Sequence, residues 1–178
     1  MADRIAAEIW IGGKLPRSLL DEFPVSDLCL DWDGTRLQSS AEADILAARD
    51  EDGLLHFADT EAAWGEFDEL EGWLREHNIP FRRQSDGKYE YSACIVESRP
   101  DLKGKQNQDR YTLTTQDGKP VVRSKEIEKI VEGMAKLVAD GKRPATKRLQ
   151  AWERLYRKLA STVPPELPSL PPFEIVND

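Results

Sequence analysis

Residues 66–78 carry a clear helical alternation of hydrophobic and polar positions. Phe67, Leu70 and Leu74 recur at the spacing of one helix face, which predicts an amphipathic helix with that face in a core. Gly72 lies inside the same pattern, where glycine is costly, and we expect it to allow close packing against a sheet. The pattern therefore predicts a helix that is held by a neighbouring sheet.

A β-hairpin is predicted directly after this helix. Two strand-like runs, 81–85 and 88–97, flank Asp86 and Gly87, and Asp-Gly is a strong signal for a two-residue type I′ turn. Such a turn fixes the register and would place Arg83 opposite Glu90. It would also place four side chains on one face of the ribbon, namely Arg82, Gln84, Tyr89 and Tyr91. This face is either a recognition surface, because tyrosine and arginine are frequent interface anchors, or an ordinary solvated sheet face.

Hydrophobic runs and turn residues predict the other elements. Further strands are expected at 5–11, 28–30, 54–58, 111–115 and 121–122. Further helices are expected near 17–23, over 41–49, from 124 to 141 and over 149–159. Ser39 and Glu42 are predicted to form a capping box, and a second Asp-Gly turn at 117–118 predicts another hairpin. This order predicts the α+β fold class: a single domain with a mixed β-sheet, two β-hairpins, packed helices, a C-terminal helical hairpin and a proline-rich tail.

Three segments are expected along the chain. They are a mixed-sheet α+β body over 1–123, a C-terminal helical hairpin packed on the body over 124–162, and an extended proline-rich tail over 163–178. Residues 173–176 in the tail are predicted to dock on their own domain as a strand or an apolar clasp. The spacing of the prolines also suits recognition by polyproline-binding domains.

Charge is distributed unevenly along the chain, whose net charge is −8. Residues 136–158 contain eight Lys and Arg against two Asp and Glu, a net charge of +6, whereas residues 1–135 carry −11. Such asymmetry indicates either an interaction surface or the docking of a basic helix on the acidic body of its own chain.

Composition excludes several classes of protein. Charged residues make up 33% of the 178 residues, and no apolar run approaches the length of a membrane span. The first residues lack the basic-then-apolar pattern of a signal peptide, so we expect a cytoplasmic protein with no membrane partner. In that compartment Cys29 and Cys94, both in apolar runs, are expected to stay reduced. Two histidines and two cysteines without clustered spacing indicate no metal site, and no cofactor is predicted.

A glycine-rich turn follows the first predicted strand. Gly12, Gly13 and Lys14 precede a short helix, as in a loop whose backbone amides and lysine hold a phosphate. The full Walker spacing is absent and no Ser or Thr follows the lysine directly. A simple turn is therefore expected.

Asp31, Trp32, Asp33, Gly34 and Thr35 follow a short apolar run. This order resembles the first motif of haloacid-dehalogenase-type phosphatases. The resemblance implies that Asp31 attacks phosphorus, that Asp33 handles the proton, and that Mg²⁺ binds between them. It covers five of the 178 residues, and a polar turn at the end of a strand accounts for both aspartates without catalysis.

The last predicted helix combines basic and aromatic residues. Leu149, Trp152, Tyr156 and Leu159 have the spacing of a buried face, which would leave the basic side chains on the solvated side. The basic residues in or beside this helix are Lys142, Arg143, Lys147, Arg148, Arg154, Arg157 and Lys158. Alternatively, basic residues neutralise phosphates and aromatic residues stack on bases, which would make the helix a nucleic-acid site. The acidic overall charge argues against a nucleic-acid footprint over the whole chain.

These patterns predict a small interaction or regulatory protein without catalytic activity, which acts on an unknown protein partner or by self-association. Its candidate binding residues are Arg82, Gln84, Tyr89 and Tyr91 on the sheet face, and Lys147, Arg148, Arg154 and Lys158 on the basic helix. One alternative is a magnesium-dependent, phosphatase-like enzyme that uses Asp31 and Asp33. The other is a nucleic-acid-binding protein that uses the basic helix.

Overall fold

The structure is a computed structural model that describes residues 3–26, 28–88, 91–100, 108–122, 124–140, 142, 144–162 and 167–178. The strands are β1 (Arg4–Ile11), β2 (Gly13–Pro16), β3 (Leu55–Ala63), β4 (Phe81–Ser85), β5 (Cys94–Arg99), β6 (Gln108–Leu113) and β7 (Phe173–Val176). The helices are α1 (Glu42–Ala47), α2 (Asp68–Glu76), α3 (Ser124–Ala139) and α4 (Ala145–Ala160), with a 3₁₀ helix at Arg17–Glu22. The predicted α+β fold class is confirmed, including the C-terminal helical hairpin, which α3 and α4 form.

The chain divides into two compact units. We call the first, Met1–Lys119 with Ser169–Asp178, the sheet unit, and the second, Pro120–Pro168, the hairpin unit. The sheet unit contains fourteen Lys and Arg against twenty-seven Asp and Glu, a net charge of −13. The hairpin unit contains eleven against six, a net charge of +5. The charge asymmetry of the sequence therefore coincides with a structural division.

A five-stranded antiparallel sheet with the order β3-β1-β4-β5-β6 forms the sheet unit's frame. In β1 the alternate residues Ile5, Ala7, Ile9 and Ile11 are buried, so this strand contributes one face to the core, as its apolar sequence predicts. The helices α1 and α2 supply the buried side chains that complete this core, among them Ile45. None of the helices in the described part of the chain has both the length and the apolar character that crossing a bilayer requires.

The predicted face of α2 is confirmed, since Phe67, Leu70 and Leu74 are all buried. Asn78 ends the helical segment with a φ of 57°, the left-handed conformation that asparagine tolerates. The expectation for Gly72 is wrong. A methyl group at this position would meet no heavy atom within 4 Å in the described structure, because Gly72 lies on the exposed side of α2.

The first predicted hairpin forms between β4 and β5, but its register differs from the prediction. Ser85 pairs with Cys94 instead of Lys88, and Arg83 pairs with Val96. The N–H of Asp86 donates to the carbonyl of Ala6 at 2.9 Å, so β4 stays paired with β1 and the chain does not turn at Asp86. A bridge between Lys88 and Tyr91 closes the smaller turn farther along.

The register error leaves the faces of the strands as predicted. From Lys88 to Cys94 the pairing shifts by six residues, an even number, so each side chain keeps its side of the sheet. Cys94 and Val96 therefore share a face with Arg83, as expected from the sequence. Tyr89 and Glu90 lie outside the described residues.

Three smaller expectations also change. The strand predicted at 28–30 is a single bridge between Cys29 and Arg36. The turn at 117–118 forms, with the Thr115 N–H bonded to the Lys119 carbonyl at 2.9 Å, but β5 and β6 make the second hairpin of the sheet. Ser39 does not act with Glu42, because its hydroxyl donates to Asp44 at 2.6 Å.

The tail ends as a docked strand, as predicted. β7 pairs in parallel with β2, from Gly13 opposite Phe173 to Pro16 opposite Val176. Phe173 is 1% exposed, and its N–H donates to the carbonyl of Gly53 at 2.9 Å. The last ten residues therefore complete the core of the sheet unit.

The glycines before β2 make room for this tail. A methyl group on Gly12 would lie 2.2 Å from the carbonyl oxygen of Pro171, a separation that no Cβ tolerates. The N–H of Gly12 donates to the Pro80 carbonyl at 3.0 Å, and that of Gly13 donates to Pro171 at 3.1 Å. Both amides are thus engaged within the chain, which fits the expected turn and leaves neither amide available to a phosphate.

Candidate functional site

The aspartates of the phosphatase-like motif lie on an open turn. The N–H of Leu30 donates to the carbonyl of Thr35 at 2.7 Å and closes the loop. One carboxylate oxygen of Asp31 accepts the N–H groups of Asp33 and Thr35, each at 3.0 Å. Hydrogen bonds from the backbone and side chain of Thr35 hold the pKa of Asp31 below its ordinary value. The Asp31 carboxylate therefore shapes the turn, and Asp33 is exposed beside it.

The described part of the chain places no metal-binding cluster beside these aspartates. Among the residues that the structure describes, no group of three or more His, Cys, Asp or Glu side chains is placed to hold an ion. The two cysteines, Cys29 and Cys94, form no disulfide with each other.

The predicted sheet-face site is only partly assembled. Arg82 and Gln84 share one face of β4, as predicted. Tyr91 lies outside β5, and its ring packs edge-to-face on Trp64 with 5.6 Å between ring centroids. The fourth residue, Tyr89, is outside the described part of the chain. Of the three described residues of this set, Arg82 and Gln84 therefore lie together on β4, and Tyr91 lies outside the β4–β5 pairing.

Arg82 belongs instead to a row of side chains that crosses all five strands. The row runs through His56, Trp10, Arg82, Glu97 and Arg110. Trp10 stacks on His56 at 5.1 Å, and the guanidinium of Arg82 lies 5.5 Å from the Trp10 ring. Glu97 accepts the Arg110 Nε–H at 3.0 Å. Since these charged groups have partners within the row, this face offers few uncompensated groups to a ligand.

On the opposite face of β4, Arg83 is buried beside α2. Its Nε lies 2.6 Å from a carboxylate oxygen of Glu71, and the two side chains are 3% and 5% exposed. Arg83 also donates to the Gly65 carbonyl at 2.5 Å, while Glu71 pairs with Arg75 at 3.0 Å. Glu71 and Arg75 thus form an ion pair four residues apart on α2. The sequence alone does not indicate that Arg83 is buried. The alternation of residues 81–85 is that of any strand with one face in the core and one face in solvent.

A tyrosine with a raised pKa lies near this pair. Tyr111 on β6 faces Val96, and although 62% of the residue is exposed, its hydroxyl end reaches Cys94. Burial of this end, and then the hydrogen bond with Cys94, raise the pKa of Tyr111 to about 12. The neutral phenol is therefore favoured in the folded protein.

We expect a late step in the alkaline titration of the protein. The folded pKa of Tyr111 exceeds the ordinary value of 10.0, so its contribution to stability is complete below pH 10 and is lost as the pH rises through about 12. Tyrosinate absorbance should show a step near pH 12 from Tyr111. Tyr111→Phe should remove that step and Tyr156→Phe should keep it. A late step that persists in Tyr111→Phe would contradict the assignment.

The hairpin unit provides the most exposed apolar surface of the described chain. Val138, Leu149, Trp152 and Tyr156 are 73%, 66%, 40% and 53% exposed. The expectation that Leu149, Trp152 and Tyr156 form a buried face is therefore wrong. The side chains of α4 that are partly buried are Arg148, Ala151, Leu155 and Leu159. The apolar face of α4 is therefore wider than the area that α3 covers.

The helix-to-helix contact divides the hairpin unit into two flanks. A methyl group on Gly133 of α3 would lie 3.1 Å from Leu155, which marks the line of closest approach. At about 100° per residue, Trp152 and Tyr156 lie on one side of this line and Arg154 on the other. The rings of Trp152 and Tyr156 stack with 5.5 Å between centroids and 7° between planes. The aromatic and basic residues alternate in sequence, but most of the basic residues lie on the flank opposite to Trp152 and Tyr156, with Arg148 as the exception.

The basic flank contains a groove of about 1060 Å³ between α3 and α4. Its charged lining consists of Lys136, Asp140, Lys147, Arg154, Arg157 and Lys158. Three of the four predicted basic-helix residues, Lys147, Arg154 and Lys158, therefore lie together. The fourth, Arg148, lines a smaller cavity of about 300 Å³ with Leu149 and Trp152 on the other flank.

Two candidate functional surfaces follow. One is the basic groove, and the other is the apolar flank, which consists of Val138, Leu149, Trp152 and Tyr156. Sequence patterns indicated the basic residues but not the groove, because α3 contributes Gly133, Lys136 and Leu137 to its lining. No protein-family model matches this chain, and neither does any curated protein or solved structure. Its function is therefore inferred from its own residues.

Proposed function

We propose that this protein is a non-catalytic interaction protein and that the hairpin unit is its association surface. The observation that carries the proposal is the exposed apolar flank formed by Val138, Leu149, Trp152 and Tyr156. Monomeric proteins rarely expose contiguous apolar patches of this kind, and those that do generally use them for binding. Aromatic residues are also enriched among the energetically dominant residues of interfaces.

The occupant that this flank fits best is a second copy of the chain. Two antiparallel helices that pack by their apolar flanks on an identical pair form a four-helix bundle with twofold symmetry. The hairpin unit has a net charge of +5, which would oppose such pairing if its charges met. Lys147, Arg154 and Lys158 line the opposite flank, however, so two apolar flanks meet without bringing these charges together.

Light scattering after size-exclusion chromatography tests this proposal. The wild-type chain should elute at about twice its monomer mass of 20.2 kDa. Leu149→Ser combined with Trp152→Ser should give a monomer, since it removes the centre of the apolar flank. Gln150→Ser, which alters an exposed residue on the basic flank of the same helix, should leave the dimer intact. A wild-type chain that stays monomeric at about 100 μM would overturn the proposed interface.

A further inference from the structure

The groove on the basic flank has an apolar floor. Gly133 and Leu137 of α3 and Ala151 and Leu155 of α4 line it, and each is partly buried. The charged rim consists of exposed side chains, namely Lys136, Lys147, Arg154, Arg157 and Lys158. Asp140 is the one acidic residue among the described lining residues. A ligand that fits must therefore offer apolar surface along its centre and negative charge along its edges.

The dimensions of the groove suit a helix. Both α3 and α4 have 16 residues, which gives each a length of about 24 Å. Two antiparallel helices present a continuous furrow, into which the side-chain ridge of a third helix packs. Gly133 allows the side chain of Leu155 to approach α3 closely, and both residues line the furrow. An amphipathic helix of about four turns would cover the floor along this length.

Nucleic acid fits this groove less well. Single strands are bound where basic residues and stacking aromatics lie along one track. None of the described lining residues of this groove is aromatic, and Trp152 and Tyr156 lie on the other flank. Phosphate contacts alone need the basic rim but make no use of the apolar floor. The combination of floor and rim points to a protein ligand.

The acidic helix of the same chain is not available as this ligand. α2 has three acidic residues in its first turn, but Leu70 and Leu74 on its apolar face are buried in the core of the sheet unit. Releasing that face would unfold the unit. A helix supplied by another protein would meet the same requirements without unfolding the sheet unit.

We propose that the groove between α3 and α4 binds an acidic amphipathic helix of a partner protein. Apolar side chains of that helix at i, i+3 or i+4, and i+7 would lie on Leu137, Ala151 and Leu155. Glu or Asp side chains on both sides of this stripe would pair with Lys147, Arg154 and Lys158 of the rim. The site extends the proposed interaction function and uses the flank opposite to the self-association surface.

A designed probe tests the proposal with the full chain. The probe is a fluorescein-labelled helical peptide of about 18 residues, with leucines along one face and glutamates on both sides of that face. Its matched control has the same composition, in an order that scatters the leucines around the helix. Fluorescence anisotropy should show binding of the probe that weakens with added salt, and at least about tenfold weaker binding of the scattered control.

Variants of the protein locate the site. Arg154→Glu with Lys158→Glu should weaken probe binding at least about tenfold, as should Ala151→Glu, which puts a charge on the floor. Lys125→Glu, which reverses the charge of an exposed α3 residue outside the groove lining, should leave binding unchanged. Circular dichroism shows whether the variants keep their helix content. If they do not, the comparison of the two peptides on the wild-type chain still decides.

Three results would overturn the inference. The first is no binding of the probe to the wild-type chain. The second is equal binding of the probe and the scattered control, because the groove would then respond to charge alone. The third is tighter binding of a single-stranded oligothymidylate than of the probe. If the chain is monomeric but still binds the probe, the proposed self-association is refuted and the proposed groove is supported. The two proposals can therefore fail separately.

Discussion

Phe173→Ala should lower the free energy of unfolding of the sheet unit by about 3–5 kcal/mol, the cost typical of removing a buried phenylalanine ring. Phe173 is fully buried in the main core cluster although it lies five residues from Asp178. Its backbone is fixed on both sides, since its N–H donates to Gly53 and its carbonyl accepts from the Arg49 guanidinium. Urea unfolding followed by tryptophan fluorescence measures the change.

Glu174→Ala is the matched control for this prediction. Glu174 is the next residue of β7 and its side chain is exposed, so the substitution should change stability by no more than about 0.5 kcal/mol. If Phe173→Ala were as mild as Glu174→Ala, the tail would not be part of the core. Protease treatment gives a second measurement, because a tail that detaches in Phe173→Ala should be cleaved faster than in the wild type.

Arg83→Met should destabilise the sheet unit by about 3–5 kcal/mol, because it leaves the buried carboxylate of Glu71 without its closest cation. Arg83 and Glu71 are 2.6 Å apart and both almost fully buried. The substitution also removes the donor to the Gly65 carbonyl. Arg75 still pairs with Glu71, but its side chain is 34% exposed and does not replace a fully buried partner.

Two further variants separate the loss of charge pairing from the loss of packing. Arg83→Met with Glu71→Leu should recover most of the lost stability, since replacing both members of a buried pair with apolar side chains is often neutral. Arg82→Met changes the neighbouring residue, which lies on the other sheet face over Trp10, and should cost no more than about 1 kcal/mol. Equal costs for Arg82→Met and Arg83→Met would show that Glu71 does not depend on Arg83.

Periodicity predicted the buried residues where the pattern of a single helix or strand determines which of its sides faces the core. The buried face of α2, the presence of the strand β1 and the docking of β7 all follow from local patterns. The face shared by Arg83, Cys94 and Val96 was also predictable, because an even shift of register keeps each side chain on its side of the sheet.

Features that depend on a second element were not predictable. The hairpin register failed because the amide of Asp86 bonds to Ala6 on β1, a residue eighty positions away. The partner of Arg83 is on α2 and not on the opposite strand. The spacing of Leu149, Trp152 and Tyr156 showed a common helix face, but spacing does not reveal whether anything covers that face. The sequence indicated the basic residues of the candidate site. It did not indicate their groove, because the groove forms only where α3 packs against α4.

The hairpin unit lies in sequence between β6 and β7, and β7 pairs with β2 of the sheet unit. Its 49 residues, Pro120–Pro168, belong to a loop whose closure entropy grows only with the logarithm of its length, by about 0.6 kcal/mol for each doubling. Lengthening, shortening or exchanging this segment therefore changes the loop-closure entropy of the β2–β7 pair very little. The sheet unit can therefore keep its structure while a different segment, with a different binding preference, replaces the hairpin unit.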